Sequence, residues 1–385
     1  MPFEELSNYM KKLQTGSEAP SAEGANDIFV MYIDGKEQTH DDLKLYEAMY
    51  QIPTQHIKLE RASEAPNKKQ TLENILCKMN CKNFGQNYIV VPESFAQNKW
   101  LSSNETLVIG YDVCHPDPQS SRERRLRIPP QQPSVIGISF NGARNPETFI
   151  GDYAYHDPRK EQVTFNILDE RARWILRLFH QNRKKLPKYV IITRDGVSEG
   201  QFRMVMLEEV EVIRSAMKEF AGVIIGEPDY NPKFCVIVTT KRHHKRFVVG
   251  DEGKEQNCPP LTVIDKEVTR TDVTEVFMQP HRVIQGTGKL PAYTMLINEM
   301  GMNMEELQSL MLALCYTHQI VNSAISIPEP IYQADEWAKR GRNNFRAWKR
   351  SRDVPLRNDG SYDWDALTGC LCYMNRPLEQ TRANA

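Results

Sequence analysis

Apolar residues in the first quarter of the chain follow the spacings of alternating helices and strands. The residues FEELSNYMKKLQ predict an amphipathic helix, and the run at 27–33 predicts a strand. A second helix is expected to open near residue 39, with Thr39 as its cap and Asp42 at the third position, as in a capping box. A short strand at 57–59 and a helix at 70–82 complete a predicted α/β module.

Apolar runs in the rest of the chain predict a second, larger α/β module. Adjacent strands come first and then alternate with helices, which favours a mixed five-stranded sheet flanked by helices. The predicted strands cover residues 105–114, 133–141, 147–155, 188–195 and 233–241. Two helices are predicted at 162–183 and 304–322. A further helix between them is predicted to begin after a cap formed by Ser198 and Gln201.

Composition places the chain among soluble globular proteins. Its 385 residues are 40% hydrophobic and 26% charged, which suits two domains with sizeable cores. No apolar run approaches the roughly 18 residues of a membrane span, and the N-terminal helix contains acidic residues, unlike a signal peptide. We therefore expect no membrane partner and a location in the cytoplasm or the nucleus. The eight cysteines show no zinc-ligand spacing and are expected to be reduced thiols.

The net charge of −1 argues against a general nucleic-acid binder, but the charge is unevenly distributed. Residues 241–246 form one basic cluster, and residues 339–352 hold seven Lys or Arg side chains interleaved with Phe345 and Trp348. Basic groups beside aromatic rings suit a phosphate backbone with stackable bases. Either cluster alone is also typical of a solvated surface, so this pattern leaves both interpretations open.

Two aspartates, Asp112 and Asp195, stand at the ends of strongly apolar predicted strands. Neighbouring strand ends place such carboxylates together, and oxygen ligands of this kind favour Mg²⁺ or Mn²⁺. A pair of bound ions would then support phosphodiester hydrolysis. Capping and turn roles are the alternative for aspartates at strand ends.

Five ordered motifs resemble the hallmark segments of the Argonaute/Piwi family. Within that family, the chain most resembles the nematode-type members. They span residues 28–345 and read YDVCHP at 111–116, RDGVSEGQF at 194–202, KRHH at 241–244, IQGT at 284–287, and SIP at 326–328 followed by Tyr332. The resemblance implies an RNase H-like PIWI domain preceded by a truncated Rossmann-like MID domain. The implied division is an N-terminal helix and polar linker at 1–26, a partial MID domain at 27–104 and the PIWI domain at 105–385. It also implies that the N and PAZ domains, and the first half of MID, are not in this chain.

The family's cleavage site maps onto four acidic residues. Asp112 and Asp195 match the first and third metal-binding carboxylates, and Asp335 stands where most eukaryotic relatives have a histidine as the fourth ligand. The mobile second glutamate is assigned to Glu161, with Glu170 as the alternative. The resemblance implies Mg²⁺ or Mn²⁺ as the cofactor. The alternative for Asp335 is an exposed helix position without a role.

The family's contacts with the guide strand map onto two further sets of residues. The pocket for the guide's 5′ phosphate corresponds to His40, Lys44, Gln55, Lys78, Lys82 and Arg340. Contacts with the guide backbone correspond to Lys241, Arg242, His243, Arg246, His281, Ser326 and Tyr332. His40 replaces the family's tyrosine, a nematode-like feature, and Ile320 stands at a position where the family has an arginine.

The resemblance implies a small-RNA-guided gene-silencing protein that binds the 5′ end of a guide RNA and pairs with a complementary target RNA. Cleavage of that target by two-metal hydrolysis is one hypothesis. The alternative is a silencing effector that binds guide RNA without cutting and recruits partner proteins. Trp-rich scaffold proteins are the protein partners that the resemblance implies.

Overall fold

The structure is a computed structural model that describes residues 3–15, 28–90, 99–102, 104–126, 128, 130–251 and 253–385. The predicted polar linker ending at residue 26 lies outside these residues. The strands are β1 Val30–Asp34, β2 Thr54–Lys58, β3 Thr106–Cys114, β4 Ser134–Phe140, β5 Ile150–His156, β6 Tyr189–Asp195, β7 Lys233–Thr240, β8 Val248–Val249, β9 Gln256–Asn257, β10 Thr262–Ile264, β11 Thr274–Gln279 and β12 Ala292–Asn298.

The α-helices are α1 Phe3–Thr15, α2 Glu37–Tyr50, α3 Leu59–Glu64, α4 Lys69–Lys82, α5 Lys99–Ser102, α6 Ser121–Arg125, α7 Phe165–Arg183, α8 Phe202–Met204, α9 Val210–Phe220, α10 Met304–Tyr316, α11 Glu329–Ser351 and α12 Trp364–Leu371. The π-helical turns Val205–Glu209 and Ala221–Ile225 adjoin α9 at its two ends. None of the described helices is long and apolar enough to cross a membrane.

The larger module is built on one mixed sheet of eight strands in the order β10-β11-β12-β7-β6-β3-β4-β5. The five predicted strands form its contiguous part β5-β4-β3-β6-β7, in which β3, β6 and β7 run parallel and β4 is antiparallel to its neighbours β3 and β5. This is the RNase H-like arrangement. The sequence prediction missed β10, β11 and β12, which extend the sheet because β12 pairs antiparallel with β7.

Both faces of this sheet are covered, so its central strands are apolar almost throughout. One face packs against α7 and α9, with Ile109, Ile192 and Val236 among the buried side chains. On the other face, the buried residues of α10 pack with Ile191 and Ile237. Trp100 and Leu101 of α5 also lie in this second core, although they precede the predicted domain boundary at 105.

Helix α11 lies unusually close to β3 and β4. A Cβ on Gly137 would stand 1.8 Å from the carbonyl oxygen of Ala334, and one on Gly110 would stand 2.4 Å from the carbonyl of Pro330. Any larger residue at either position would therefore push the helix off the sheet. This close packing brings the side chains of α11 to the edge where β3 and β6 end.

The smaller module pairs β1 with β2 in parallel and packs α1 against α2 through Leu6, Met10 and Leu43. The capping prediction for α2 was wrong, because the helix begins at Glu37 and its cap residue, Lys36, makes no side-chain cap bond. Thr39 instead donates a 2.6 Å hydrogen bond to Asp34 at the end of β1. The helix predicted to reach residue 322 ends at Tyr316.

Candidate active site and nucleic-acid interface

Asp112 and Asp195 lie side by side at one edge of the central sheet. Strands β3 and β6 are parallel, and their last paired residues are Tyr111 and Arg194, so the two aspartates follow on neighbouring strands. Burial, and then the charge of Asp195, raise the pKa of Asp112 to about 7. The pKa of Asp195 is also raised, chiefly by burial. The two carboxylates therefore share a site in which their negative charge is incompletely balanced.

Glu161 reaches the same edge from the loop between β5 and α7. Its carboxylate lies 2.8 Å from His115 Nε2 and accepts a 2.9 Å hydrogen bond from Arg194 Nη2. A Cβ on Gly196 would stand 3.3 Å from Asp112 Oδ1 and 3.6 Å from Glu161 Oε1, which places both oxygens around one point. Glu170, the alternative, is exposed on α7.

Asp335 approaches from α11, at the position that follows Ala334. Its charge contributes to the raised pKa of both Asp112 and Asp195, so it faces the same cleft. Its carboxylate forms a 2.7 Å ion pair with Lys339 one turn further along the helix. We call the surroundings of Asp112, Glu161, Asp195 and Asp335 the carboxylate cleft.

The chemistry of the carboxylate cleft fits a hard divalent cation. All four acidic groups offer oxygen ligands. The pKa of Asp112 is raised by burial and then by the charge of Asp195, and a cation would oppose both effects. Within the described residues, no three His, Cys, Asp or Glu side chains are already arranged around a common metal position. Glu161 and Asp335 are instead held by basic neighbours, through Arg194 and Lys339 respectively.

A buried network beneath the carboxylate cleft was not found from the sequence. The guanidinium of Arg194 is fully buried and lies 3.3 Å from the carboxylate of Glu209, which also accepts a 2.9 Å hydrogen bond from Tyr111. Glu209 further accepts the backbone N–H of Val163. Because Arg194 also holds Glu161, this network positions an acidic residue of the cleft. The only sequence signal was a charged residue, Arg194, at the end of an apolar strand.

Basic residues border the carboxylate cleft on the side of β7. Lys241 Nζ donates a 2.8 Å hydrogen bond to Ser326 Oγ, and Asp195 and Asp335 oppose the lowering of its pKa by burial. The charge of Arg242 acts on the pKa of Asp195, and that of Lys241 helps to lower the pKa of His281 after burial. Four of the predicted backbone contacts, Lys241, Arg242, His281 and Ser326, thus lie together beside the cleft.

The remaining predicted backbone contacts are placed differently. His243 Nε2 lies 2.6 Å from the carbonyl oxygen of Leu290, and Arg246 donates to the carbonyl of His243 at 2.7 Å. Both side chains therefore support the local loop as it stands. Tyr332 packs edge-on against His318, with ring centroids 4.8 Å apart.

The smaller module brings together three predicted phosphate contacts around Thr54, namely Lys44, Gln55 and Lys82. We call these three residues, together with Arg340, the basic socket. Lys44 Nζ donates to the carbonyl and hydroxyl oxygens of Thr54 at 2.7 and 2.9 Å. Lys82 Nζ donates to the same carbonyl at 3.0 Å and to Gln55 Oε1 at 2.9 Å. Both lysines are buried, and burial lowers the pKa of Lys44 to about 8.

Arg340 enters the basic socket from α11 of the larger module and forms a 2.7 Å ion pair with Glu47 of α2. Glu47 is fully buried and was not singled out from the sequence. Burial by itself raises the pKa of Glu47, but Lys44, Arg340 and Lys82 outweigh it and hold the pKa at about 2. The two modules are therefore joined by an ion pair inside the socket.

His40 and Lys78 lie at the rim of the basic socket. The side chain of His40 is 42% exposed and lies 3.1 Å from Asp41. That contact raises the pKa of His40, but burial and the charges of Arg340 and Lys44 lower it overall. Burial, and then the charges of Arg382 and Arg340, lower the pKa of Lys78. Lys78 has no carboxylate within ion-pair distance among the described residues, so its ammonium is available to an anion.

A known domain family matches the stretch of chain that carries the carboxylate cleft and the basic socket. Residues 28–346 match the Piwi domain. The chain belongs to the Argonaute/Piwi family. It is 31% identical over 382 residues to Argonaute protein wago-1 of Caenorhabditis elegans, an alignment that covers 97% of this chain and 39% of that protein. It is 30% identical over 336 residues to protein argonaute-2 of Drosophila melanogaster, covering 86% of this chain and 26% of that protein.

Solved Argonaute structures share the fold. The structure of Kluyveromyces polysporus Argonaute with a guide RNA superposes with a TM-score of 0.78 at 24% identity, covering 99% of this chain and 43% of that one. The MID-PIWI domains of QDE-2 from N. crassa give a TM-score of 0.61 at 18% identity, covering 100% of this chain and 84% of that one. The chain spans about two fifths of the length of wago-1.

Family membership confirms the nematode-type Argonaute/Piwi resemblance and the RNase H-like fold. Argonautes with a Piwi domain are typically dependent on divalent metal ions. The individual site residues of this Argonaute, from His40 to Arg340, remain predictions. The domain boundaries at 26 and 104 also remain predictions.

Proposed function

We propose that this Argonaute/Piwi chain is a small-RNA-guided silencing protein that binds the 5′ end of a guide RNA and cleaves complementary target RNA. The observation that carries the proposal is helix α11, which bears Asp335 of the carboxylate cleft and Arg340 of the basic socket. Five residues of α-helix separate the two side chains by about 7.5 Å along the helix axis. One rigid element thus sets the spacing between the anchored end of a guide and the acidic site.

The proposed guide interface uses phosphate contacts to place the strand. The 5′ phosphate enters the basic socket beside His40 and Lys78, and the following phosphates pass Ser326 and Lys241 towards the carboxylate cleft. Contacts of this kind position a strand without reading its sequence. Selection of the target then comes from base pairing to the guide, as in other guided systems.

In the proposed cleavage reaction, Asp112, Asp195 and Asp335 would hold Mg²⁺ or Mn²⁺. When bound, such ions supply an activated water and stabilise the leaving oxygen of a phosphodiester. Burial by itself raises the pKa of Glu161, but His115 and Arg194 lower it overall. These two neighbours therefore keep Glu161 ionised and directed at the cleft. Lys241 lies where its ammonium group can donate a hydrogen bond to a phosphate of the bound strand.

The test is a single-turnover assay with the purified chain, a 5′-phosphorylated guide RNA and a complementary target RNA in Mg²⁺ or Mn²⁺. We expect one cut in the paired target and tighter binding of the 5′-phosphorylated guide than of its 5′-hydroxyl form. An intact target in every divalent metal, with guide binding preserved, would favour a silencing effector that does not cut. Equal binding of both guide forms would contradict the guide-end assignment.

We also propose that a Trp-rich scaffold protein docks at a groove of about 660 Å³ between the end of α7 and the segment before β7. Leu186, Tyr189 and Tyr230 line it with Lys184 and Lys185, so an indole would meet both apolar surface and cations. A Trp-containing peptide should bind in fluorescence anisotropy, and its Trp-to-Ala version should not.

We place the proposed guide-dependent silencing in the cytoplasm or the nucleus.

A further inference from the structure

Glu47 is the only carboxylate inside the basic socket among the described residues, and it is surrounded by donors from four segments of the chain. One of its oxygens accepts from Lys44 at 2.9 Å and from the backbone N–H and hydroxyl of Thr54 at 2.7 and 2.8 Å. The other accepts from Arg340 at 2.7 Å and from the hydroxyl of Tyr373 at 3.2 Å. These donors occupy both oxygens of Glu47, as a buried carboxylate needs if it is to stay ionised.

The lysines of the socket are largely occupied by these internal acceptors. An ammonium has three N–H donors, and Lys44 directs its three at Glu47, the Thr54 carbonyl and the Thr54 hydroxyl. Lys82 directs two of its donors at Thr54 and Gln55. Lys44 therefore has no free donor for a guide phosphate unless one of its present bonds is exchanged.

The charges of the socket do not cancel. Three basic side chains, Lys44, Lys82 and Arg340, surround one carboxylate, and all four groups are buried. Cations packed this closely repel one another in a medium of low dielectric. Glu47 offsets part of that repulsion, and an entering phosphate dianion would offset the remainder. Glu47 and the phosphate thus interact with the same cations and repel each other.

We propose that Glu47 is an internal counter-ion that stands in for the guide's 5′ phosphate in the guide-free protein. It keeps the socket and the contact between α2 and α11 assembled before a guide arrives. It also weakens the attraction of the socket for phosphate, so it limits how strongly guide binding depends on the 5′ phosphate. This inference rests on the proposed guide-end function of the socket.

The test compares the wild-type chain with Glu47→Gln, which keeps the shape of the side chain and removes its charge. Single-stranded RNA with a 5′ monophosphate and the same RNA with a 5′ hydroxyl are titrated against each protein. We expect Glu47→Gln to increase the ratio of the two affinities about tenfold, because a buried like charge is removed from beside the phosphate. We also expect its thermal unfolding midpoint to fall without RNA and to recover more than that of wild type when phosphorylated RNA is added.

The matched control is Glu209→Gln, which removes an equally buried, arginine-paired carboxylate away from the basic socket. This variant should lose stability while keeping the wild-type affinity ratio. An unchanged or smaller ratio in Glu47→Gln would overturn the inference and leave Glu47 a purely structural residue. If wild type itself does not distinguish the two RNAs, the proposed guide-end function fails instead.

Glu47→Gln is measured even if it does not fold in phosphate-free buffer. Its unfolding is then followed while inorganic phosphate is titrated in. Folding that returns as the phosphate concentration rises supports the counter-ion role, since the added dianion replaces the missing charge. No recovery at phosphate concentrations that stabilise wild type overturns it.

Discussion

The carboxylate cleft and the basic socket are both charged sites organised by helix α11, but they balance charge in opposite ways. In the cleft, burial and then the charge of the neighbouring Asp195 raise the pKa of Asp112 to about 7. In the socket, three cations surround Glu47 and hold its pKa at about 2 despite its burial. The negative charge of the cleft is incompletely balanced within the described residues, whereas the positive charge of the socket has Glu47 as an internal partner.

This difference predicts that a cleft carboxylate can be removed at little cost in folding stability, whereas a socket cation cannot. Removing a carboxylate from the cleft relieves repulsion between like charges, so it should spare the fold. It should still reduce the proposed cleavage, because an acidic group of the cleft is lost. Removing a cation from the socket leaves a buried charge unpaired, so it should harm the fold first.

Changing Asp195 to Asn should reduce target cleavage at least about 10³-fold, since the proposed reaction uses Asp195 as a metal ligand. The affinity for 5′-phosphorylated guide RNA should stay at the wild-type level, because the basic socket is untouched. Single-turnover cleavage and a guide-binding titration measure the two effects separately. Asp272→Asn, on an exposed loop, is the control and should cleave normally. Unreduced cleavage by Asp195→Asn would remove this residue from the site.

Changing Lys44 to Met should lower the free energy of unfolding by about 3 kcal/mol, because Glu47 loses a buried partner. Urea denaturation of the guide-free protein measures the change. Lys69→Met is the matched comparison, since Lys69 is 90% exposed and pairs with Glu73 at 3.6 Å on the surface. That variant should change stability by less than about 1 kcal/mol. Equal effects of the two substitutions would show that the socket is not a buried ion cluster.

Changing Asp112 to Asn should stabilise the metal-free protein at pH 8 by on the order of 2 kcal/mol. The folded-state pKa of Asp112 is about 7, above its usual 3.8, so the stability it contributes is complete below pH 3.8 and is lost as the pH rises through 7. The variant should therefore match wild type near pH 4 and exceed it at pH 8. Thermal unfolding in a chelating buffer across this range measures the gap. A wild type that is more stable than the variant at pH 8 would contradict a repulsive cleft.

Changing Lys78 to Ala should weaken binding of 5′-phosphorylated guide about tenfold, equivalent to about 1.4 kcal/mol, and leave stability unchanged. It should also reduce the slope of log affinity against log salt by about one, as one phosphate contact is lost. Binding titrations at several salt concentrations measure both quantities. An unchanged affinity would place the guide's 5′ end elsewhere than the rim formed by His40 and Lys78.

Sequence reasoning found the parts of this molecule whose signals are local. The apolar runs at 105–114, 188–195 and 233–241 became β3, β6 and β7, because strands buried on both faces need continuous apolar sequence. The Ser198 cap also formed as predicted. The Thr39 cap did not, because Asp34 at the end of β1 takes the hydroxyl of Thr39. That contact joins two elements, and no helix-start pattern contains it.

The amino-acid sequence by itself determined the family, the apolar strands and the candidate acidic and basic residues that the family resemblance maps onto this chain. The family resemblance already grouped Asp112 with Asp195 and Asp335, and Lys44 with Arg340. Only the tertiary structure placed Glu47 between Lys44 and Arg340, and Glu209 beside Arg194. Residues 293 positions apart, Glu47 and Arg340, form one ion pair. Burial and proximity set the energy of a charge, and both depend on packing between distant segments, which the order of residues along the chain does not state.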